Sequence, residues 1–180
     1  MTGKHWQQDP LRSERIAAAA LEVIAEYGVA GTTYRKVAAA AGVPLGAVSY
    51  YFTSMEALLT AAFTRLADET SQVFAQRIAD AHSKEEACEA VVDIIFGDVT
   101  SSSRTLLLSY ELYGFASRHP AMTSVMNTWM NKSRCALARH FSATAAVALD
   151  ALIEGVTIHR SVIAIDRHDV VRMVQQLAQL

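Results

Sequence analysis

The chain has 180 residues, of which 52% are hydrophobic and 19% are charged, so a sizeable core can form and intrinsic disorder is disfavoured. A formal net charge of −2 does not by itself indicate nucleic-acid binding. The chain has no run of about 18 apolar residues and starts with a polar segment, so we expect a cytoplasmic protein without a signal peptide or a membrane span.

The first helix is predicted over residues 12–27, after a polar tail that ends near Pro10. Apolar residues recur at spacings of three and four, which puts them on one helix face: Ile16, Ala19, Ala20, Val23 and Ile24. Gly28 is placed to end this helix, since glycine readily adopts the left-handed conformation found at helix ends.

Two short helices follow, separated by a glycine. Thr33 can cap the first of them, over residues 34–41, through its hydroxyl group. Gly42 breaks that helix, and Pro44 stands at the predicted first position of the next, where its missing N–H has no cost. This helix is predicted to continue from residue 45 to residue 50 or 51. These three helices predict a compact head over residues 1–53.

Longer helices fill the rest of the chain. Residues 53–56 and 83–86 have the pattern of capping boxes, in which Thr53 and Ser83 start helices over residues 54–81 and from 84 to near Gly97. Further helices are predicted over residues 104–117, 121–141, 143–164 and 167–179, with a polar hinge at residues 100–103. Because no segment has the period of a strand, we predict an all-α protein: a three-helix domain (residues 1–53) and a larger helical bundle (residues 54–180).

The pair of short helices has the spacing of a helix-turn-helix. Ala38 lies four residues before Gly42, so the second helix can cross the first closely, and Val43 and Val48 can pin it to the core. The residues left outside, between 45 and 50, are small or uncharged. This helix is therefore narrow enough to enter a DNA major groove.

Two interpretations of the consecutive tyrosines Tyr50 and Tyr51 are open. Their hydroxyl groups can contact a DNA backbone without the long reach of lysine. Alternatively, they fill the junction between the head and the bundle.

Residues 33–59, TYRKVAAAAGVPLGAVSYYFTSMEALL, resemble the DNA-binding signature of the TetR family of bacterial transcriptional regulators. The resemblance extends over about residues 11–59, and the rest of the chain is similar to the family in length and helix layout. It implies a homodimeric repressor that binds a double-stranded, palindromic DNA operator and releases it when a small-molecule effector binds. The bundle would then carry the ligand-binding and dimerisation functions.

The resemblance also implies which residues meet DNA. Those expected at phosphates are Thr33 and Arg35, those expected near base edges are Pro44, Leu45, Gly46 and Ala47, and those expected to face the backbone and groove are Ser49, Tyr50 and Tyr51.

Three positions depart from the family pattern. Pro44 replaces a serine or threonine, Tyr51 replaces a common histidine, and Met55 replaces a lysine at the start of the next helix. The missing lysine charge should weaken the salt-dependent part of DNA binding.

The last two long predicted helices are the candidates for self-association. Their larger side chains form the predicted dimer interface: Trp129, Leu137, Phe141, Leu149, Leu152, Val156 and His159. Small residues between them allow two helices from each subunit to pack into a four-helix interface. The same side chains can instead form the intramolecular core, and His159 can serve the interface or a ligand.

Large side chains from several helices are the candidates for a ligand pocket in the bundle. They are Phe63, Leu66, Phe74, Ile95, Leu107, Tyr110, Glu111, Tyr113, Met126 and Trp129. Glu111 is an acid within an otherwise apolar helix, and a buried carboxylate is costly unless paired. It can face water, pair with an internal arginine, or contact a cationic ligand.

Patterns for catalysis are missing from the sequence. Paired acids, a Ser-His-Asp set, a glycine-rich phosphate loop and a histidine metal pair do not occur at usable spacing, and Cys88 and Cys135 match no metal site. We therefore predict that the chain is not an enzyme and needs no metal or cofactor. The rival hypotheses are a helical protein-binding adaptor and an activator-type regulator without a small-molecule ligand.

Overall fold

The structure is a computed structural model that describes residues 10–97 and 103–180. Within these ranges the chain forms α-helices and one short 3₁₀ turn (Pro120–Met122) but no β-strand, which confirms the predicted all-α class. The helices are α1 (Pro10–Gly31), α2 (Tyr34–Ala41), α3 (Leu45–Tyr51), α4 (Met55–Ala79), α5 (Lys84–Phe96), α6 (Ser103–Ala116), α7 (Thr123–Leu137), α8 (Ala143–His159) and α9 (Arg167–Leu177). The predicted N-terminal tail before Pro10 and the hinge before Ser103 lie outside the described residues. None of the described helices has the length and apolar character needed to span a membrane.

The chain divides into two compact units within α4. The first unit ends at Arg65 and the second begins at Leu66, later than the predicted boundary after residue 53. Four apolar residues in the first turns of α4 belong to the first unit and are almost fully buried: Leu58, Leu59, Ala62 and Phe63. A boundary drawn where the motif ends therefore misses the part of α4 that completes this core.

The first unit forms around the apolar faces of α1, α2 and α3. Ile16, Val37 and Val48 have no exposed surface. Gly28 interrupts α1 with φ 68° and ψ 171°, a region that is accessible almost only to glycine. The predicted helix end at Gly28 is thus a kink, after which the helix continues to Gly31.

The core of the second unit is built by α5, α8 and α9 together with the end of α4 and the end of α7. Its fully buried members include Ile78, Val91, Leu137, Leu149 and Val170. Burial of side chains of this size contributes about 1.5–3 kcal/mol each, so these helices depend on one another for their stability.

Side-chain caps set the starts of α4 and α5. The hydroxyl of Ser83 accepts the N–H of Glu86 at 3.1 Å, and the Glu86 carboxylate accepts the N–H of His82 at 2.7 Å, which confirms the predicted start. At α4 the prediction was wrong by one residue. Ser54, and not Thr53, accepts the N–H of Ala57 at 3.1 Å, because the helix begins at Met55.

The helices α7 and α8 are shorter than predicted. α7 ends at Leu137, where the N–H groups of Arg139 and His140 bond to carbonyls three residues earlier. α8 ends at His159, and the N–H of Val162 likewise bonds to the His159 carbonyl at 2.9 Å. Tight turns therefore replace the last turn of each predicted helix.

Candidate DNA-binding surface and ligand cavity

The turn between α2 and α3 is fixed by backbone hydrogen bonds. Thr33 caps α2 as predicted, since its hydroxyl accepts the N–H of Lys36 at 3.3 Å. Gly42 has φ 64° and ψ 35°, the left-handed conformation, and the following Val43 N–H bonds to the Ala38 carbonyl at 3.0 Å. Pro44 lies just before the first helical residue instead of at it, because α3 begins at Leu45.

The seven-residue helix α3 is held by its neighbours. Tyr34 of α2 donates a hydrogen bond of 2.9 Å to the carbonyl of Phe52, the residue that ends α3. Val48 is fully buried on the inner side of α3, and Phe52 is 8% exposed. A helix of this length is not stable alone in water, so these contacts determine its position.

The predicted DNA-contacting residues form an outward surface on the first unit. The exposed ones are Thr33, Arg35, Pro44, Leu45, Gly46, Ser49 and Tyr50, and the half-buried ones are Ala47 and Tyr51. Leu45 is 49% and Tyr50 is 55% exposed, although both are large hydrophobic residues. Residues of this surface from Pro44 onward border a cleft of about 300 Å³, and Arg12 of α1 also lines that cleft. DNA contact by these residues stays a prediction.

The two basic residues at the start of α2 have different surroundings. Arg35 is exposed. The Nζ of Lys36 donates to the Gly31 carbonyl at 2.8 Å and lies 3.7 Å from the centre of the Tyr27 ring. The charge of Lys36 therefore stabilises the loop between α1 and α2 through a hydrogen bond and a cation–π contact.

A cavity of about 80 Å³ lies within the second unit, between side chains of α4, α6, α7 and α8. Three of the predicted pocket residues line it, namely Phe74, Tyr113 and Trp129. Sequence reasoning missed its two acids, Asp150 and Glu154, which lie one turn apart on α8.

One of the two acids is paired with an arginine of α7 and the other with a tyrosine of α6. The Nε of Arg134 donates to Asp150 Oδ2 at 2.8 Å, and the Tyr113 hydroxyl donates to the Glu154 carboxylate. Burial raises the pKa of Asp150, and the bond to Arg134 opposes that rise. Burial also raises the pKa of Glu154, and the bond from Tyr113 opposes it while the charge of Asp150 adds to it. The site carries an excess of negative charge when both acids are ionised.

Thr157 adds an unused polar group to the same cavity. Its hydroxyl oxygen is buried and has no hydrogen-bond partner among the described residues. Buried polar groups are nearly always bonded in folded proteins, so this hydroxyl is available to a water molecule or a ligand in the cavity.

The other predicted pocket residues do not line this cavity. Phe63 is buried in the first unit, and Leu66, Ile95 and Met126 are buried in the second. Leu107 and Tyr110 are exposed, and the Tyr110 hydroxyl lies 2.8 Å from the Ser161 hydroxyl. Glu111 is half-buried on α6.

A groove of about 450 Å³ between α5 and α9 is larger than this cavity. Charged and amide side chains form much of its lining, among them Lys84, Glu89, Arg167 and Gln175. None of the predicted site residues lies in it.

Most of the predicted dimer interface faces inward. Leu137, Phe141, Leu149 and Val156 belong to the chain's own core, so these four cannot be offered to a partner subunit. Trp129 lines the cavity, Leu152 packs against the core, and His159 is exposed.

The residues exposed on the outward sides of α7 and α8 are mostly not those that were predicted for the dimer interface. Asn131 and Cys135 are exposed on α7, and Thr144, Val147 and Ala151 are exposed on α8. Asp150 and Glu154, the acids of α8, both line the cavity. The side of α8 that faces solvent is therefore uncharged and made of small residues.

Comparison with known proteins identifies the family. Residues 16–62 match the model of bacterial regulatory proteins of the tetR family. The crystal structure of SCO7518 from Streptomyces coelicolor A3(2), described as a candidate transcriptional regulator, is 40% identical with a TM-score of 0.88 over 95% of this chain and 100% of that chain. The multidrug binding protein EbrR, in complex with imidazole, is 30% identical with a TM-score of 0.77 over 96% and 97% of the two chains.

A transcriptional regulator from another bacterium is also similar to this chain. The HTH-type transcriptional regulator BetI 1 from Chromohalobacter salexigens is 28% identical over 156 residues, which cover 81% of this chain and 77% of that protein. These similarities, together with the helix-turn-helix geometry of α2 and α3, show that the chain is a transcription regulator and not an enzyme, and that it belongs to the TetR family.

Proposed function

We propose that the chain is a cytoplasmic, homodimeric transcriptional repressor that binds a palindromic operator and releases it when a cationic aromatic compound binds. The main support is the surface of α3. Its buried side is anchored through Val48, and its outer side presents Leu45 and Tyr50 to solvent. An exposed leucine and tyrosine on the outer side of a helix-turn-helix supply apolar surface that a DNA groove can cover.

Dimerisation rests on the exposed sides of α7 and α8. Val147 is 47% exposed, and Thr144 and Ala151 flank it on the same side of α8. Gly155 continues this side, and a Cβ atom there would meet nothing within 4 Å. Two such faces related by a twofold axis can pack closely into a four-helix interface. A dimer is also needed to bind two half-sites about 34 Å apart.

The effector class follows from the cavity. Phe74 and Trp129 supply aromatic surface, and Glu154 supplies a carboxylate whose partner is the neutral hydroxyl of Tyr113. Both kinds of group attract a cation: the carboxylate by ion pairing, and the aromatic rings by cation–π contact. EbrR has been solved with proflavin and with ethidium, which are positively charged aromatic compounds.

The size of the cavity requires it to open. Ligand pockets usually have about 300–1,000 Å³, whereas this cavity has about 80 Å³. Binding must therefore displace its lining. Thr70 and Phe74 are part of α4, the same helix whose first turns complete the core of the first unit. A displacement of α4 is the route that we propose from effector binding to operator release.

The DNA part of the proposal is tested by selecting bound sequences from random duplex DNA with the purified protein. We expect an enriched palindrome of about 14–20 base pairs, as two half-sites require. Recovery of unrelated sequences alone would contradict operator binding and would favour a protein-binding adaptor.

The effector part is tested with two compounds of the same shape. Benzyltrimethylammonium carries a positive charge, and neopentylbenzene is its neutral isostere. In a Trp6→Phe background, where Trp129 is the remaining tryptophan, we expect only the cation to quench the tryptophan fluorescence and to release the selected duplex. Glu154→Gln should remove this preference, whereas Asp68→Asn, at an exposed acid paired with Lys132, should keep it. Equal binding of the two compounds would contradict a cation site.

A further inference from the structure

The first turn of α3 lacks side chains that can hydrogen-bond to DNA bases. Pro44, Leu45, Gly46 and Ala47 carry no donor or acceptor atom in their side chains. In a helix-turn-helix, the residues at the start of the second helix contact the base edges. Base edges in the major groove are read through hydrogen bonds or through apolar contact with the methyl group of thymine. Apolar contact is the mode that these four side chains can supply.

Three polar side chains near this turn have contacts within the chain. Ser49 donates a hydrogen bond of 3.3 Å to the Gly46 carbonyl. Lys36 bonds to the Gly31 carbonyl and lies over the Tyr27 ring. Thr33 caps α2, the helix that crosses the DNA backbone in this motif. Within the first turn itself, Leu45 is the largest exposed side chain, with 49% of its surface accessible.

Gly46 is a second and independent indication of close approach. Glycine lowers the stability of a helix relative to alanine. A Cβ atom at Gly46 would meet nothing within 4 Å, so packing within the chain does not require this glycine. A closely approaching partner accounts for it, since the missing side chain lets the backbone of α3 lie against the bases.

We propose that Leu45 recognises the 5-methyl group of a thymine in each half-site, so that the operator has an A·T pair at this position and loses affinity when that methyl group is removed. The inference rests on the proposed function, because it requires DNA binding by α3. Leu45 is then the residue that determines base preference, and the neighbouring Gly46 sets how closely it approaches.

The test replaces thymine by deoxyuridine, which lacks only the 5-methyl group, at one position at a time in the selected duplex. Binding of the full-length protein is measured by fluorescence anisotropy. We expect one position per half-site at which the replacement weakens binding about fourfold, which corresponds to one buried methyl group. Replacement in both half-sites should weaken binding about 15-fold, since the two sites are independent.

The variant Leu45→Ala tests whether Leu45 is the residue that contacts the thymine methyl group. It should bind the thymine and deoxyuridine duplexes equally, and because Leu45 is exposed its circular dichroism should stay that of the parent. Val73→Ala, at a residue of the second unit that is 43% exposed, is the matched control and should keep the fourfold preference.

The outcomes separate this inference from the proposed function. A selected palindrome that binds equally well with deoxyuridine at every position would overturn the inference and leave operator binding intact. A preference for thymine that persists in Leu45→Ala would overturn the assignment to Leu45. Failure to select any duplex would overturn operator binding and this inference together.

Discussion

The hydroxyl of Tyr34 in α2 donates a hydrogen bond of 2.9 Å to the carbonyl of Phe52 at the end of α3. Tyr34→Phe removes this bond and keeps the ring, so we expect the free energy of unfolding to fall by about 1 kcal/mol. DNA binding should weaken as well, because the end of α3 loses a fixed contact. Urea unfolding and duplex binding measure the two effects. An unchanged free energy of unfolding in Tyr34→Phe would contradict a role for this bond.

Two glycines of the helix-turn-helix should respond in opposite ways to substitution by alanine. Gly42→Ala should destabilise the protein by about 1–2 kcal/mol, because Gly42 has φ 64° and the left-handed conformation is strained with a side chain. Gly46→Ala should stabilise it by about 0.5–1 kcal/mol and yet weaken DNA binding, since the new methyl group points toward the duplex. Thermal unfolding and anisotropy give both quantities. Stronger DNA binding by Gly46→Ala would argue against close approach of α3.

Glu154 should make the protein less stable as the pH rises. Burial raises its pKa in the folded state above the ordinary value of 4.5, so the folded state holds this proton more tightly than the unfolded state does. The contribution to the free energy of unfolding therefore falls as the pH increases from about 4.5 through the folded pKa. Glu154→Gln should reduce this pH dependence in urea unfolding. Glu89→Gln, at an exposed acid, is the control, and an unchanged profile in Glu154→Gln would contradict the prediction.

The uncharged side of α8 predicts which substitutions separate dimerisation from folding. Val147→Glu places a charge on the exposed side and should give a folded monomer in light scattering. Leu149→Ala, at a fully buried residue two positions away, should instead lower the free energy of unfolding by about 2–5 kcal/mol. A dimer that is unaffected by Val147→Glu would place the interface elsewhere.

Met55 offers a gain-of-function test at the start of α4. Met55→Lys restores the cation that the family pattern has at this position. It should strengthen operator binding at low salt and steepen the plot of log K against log salt by about 0.9 for each new phosphate contact. Binding measured between 50 and 300 mM salt checks this, and Met173→Lys, at an exposed methionine of α9, is the control. A slope that does not change would mean that Met55 lies away from the backbone of the DNA.

The helix-turn-helix was predictable because its signals are local. Thr33, Gly42 and the apolar positions Val37 and Val48 specify the two helices and their turn within 16 residues, and the predicted bounds of α2 match the structure. The cavity acids were missed for the opposite reason. Asp150 pairs with Arg134, and Glu154 pairs with Tyr113, which is 41 residues away in the sequence. No local pattern indicates such pairs.

The inner face of α8 was misassigned because the outer face of this helix carries no charge, while its two acids, Asp150 and Glu154, line the cavity on the inner side. Leu149 and Val156 were expected at the dimer interface on account of their size, but they pack inside the chain. Small residues such as Ala151 occupy the outer side. When the acids of a helix lie on its inner side and its solvent side is uncharged, periodicity alone does not say which side belongs to the core.

Lys36 is bonded to Gly31 and lies over the ring of Tyr27, so it is less available to neutralise DNA phosphates when the first unit binds DNA of arbitrary sequence. Of the two consecutive cations at the start of α2, only Arg35 extends into solvent. Non-specific retention on chromosomal DNA depends on the number of phosphates neutralised. We therefore expect short residence on unrelated sequence and a search that relies on repeated dissociation more than on sliding.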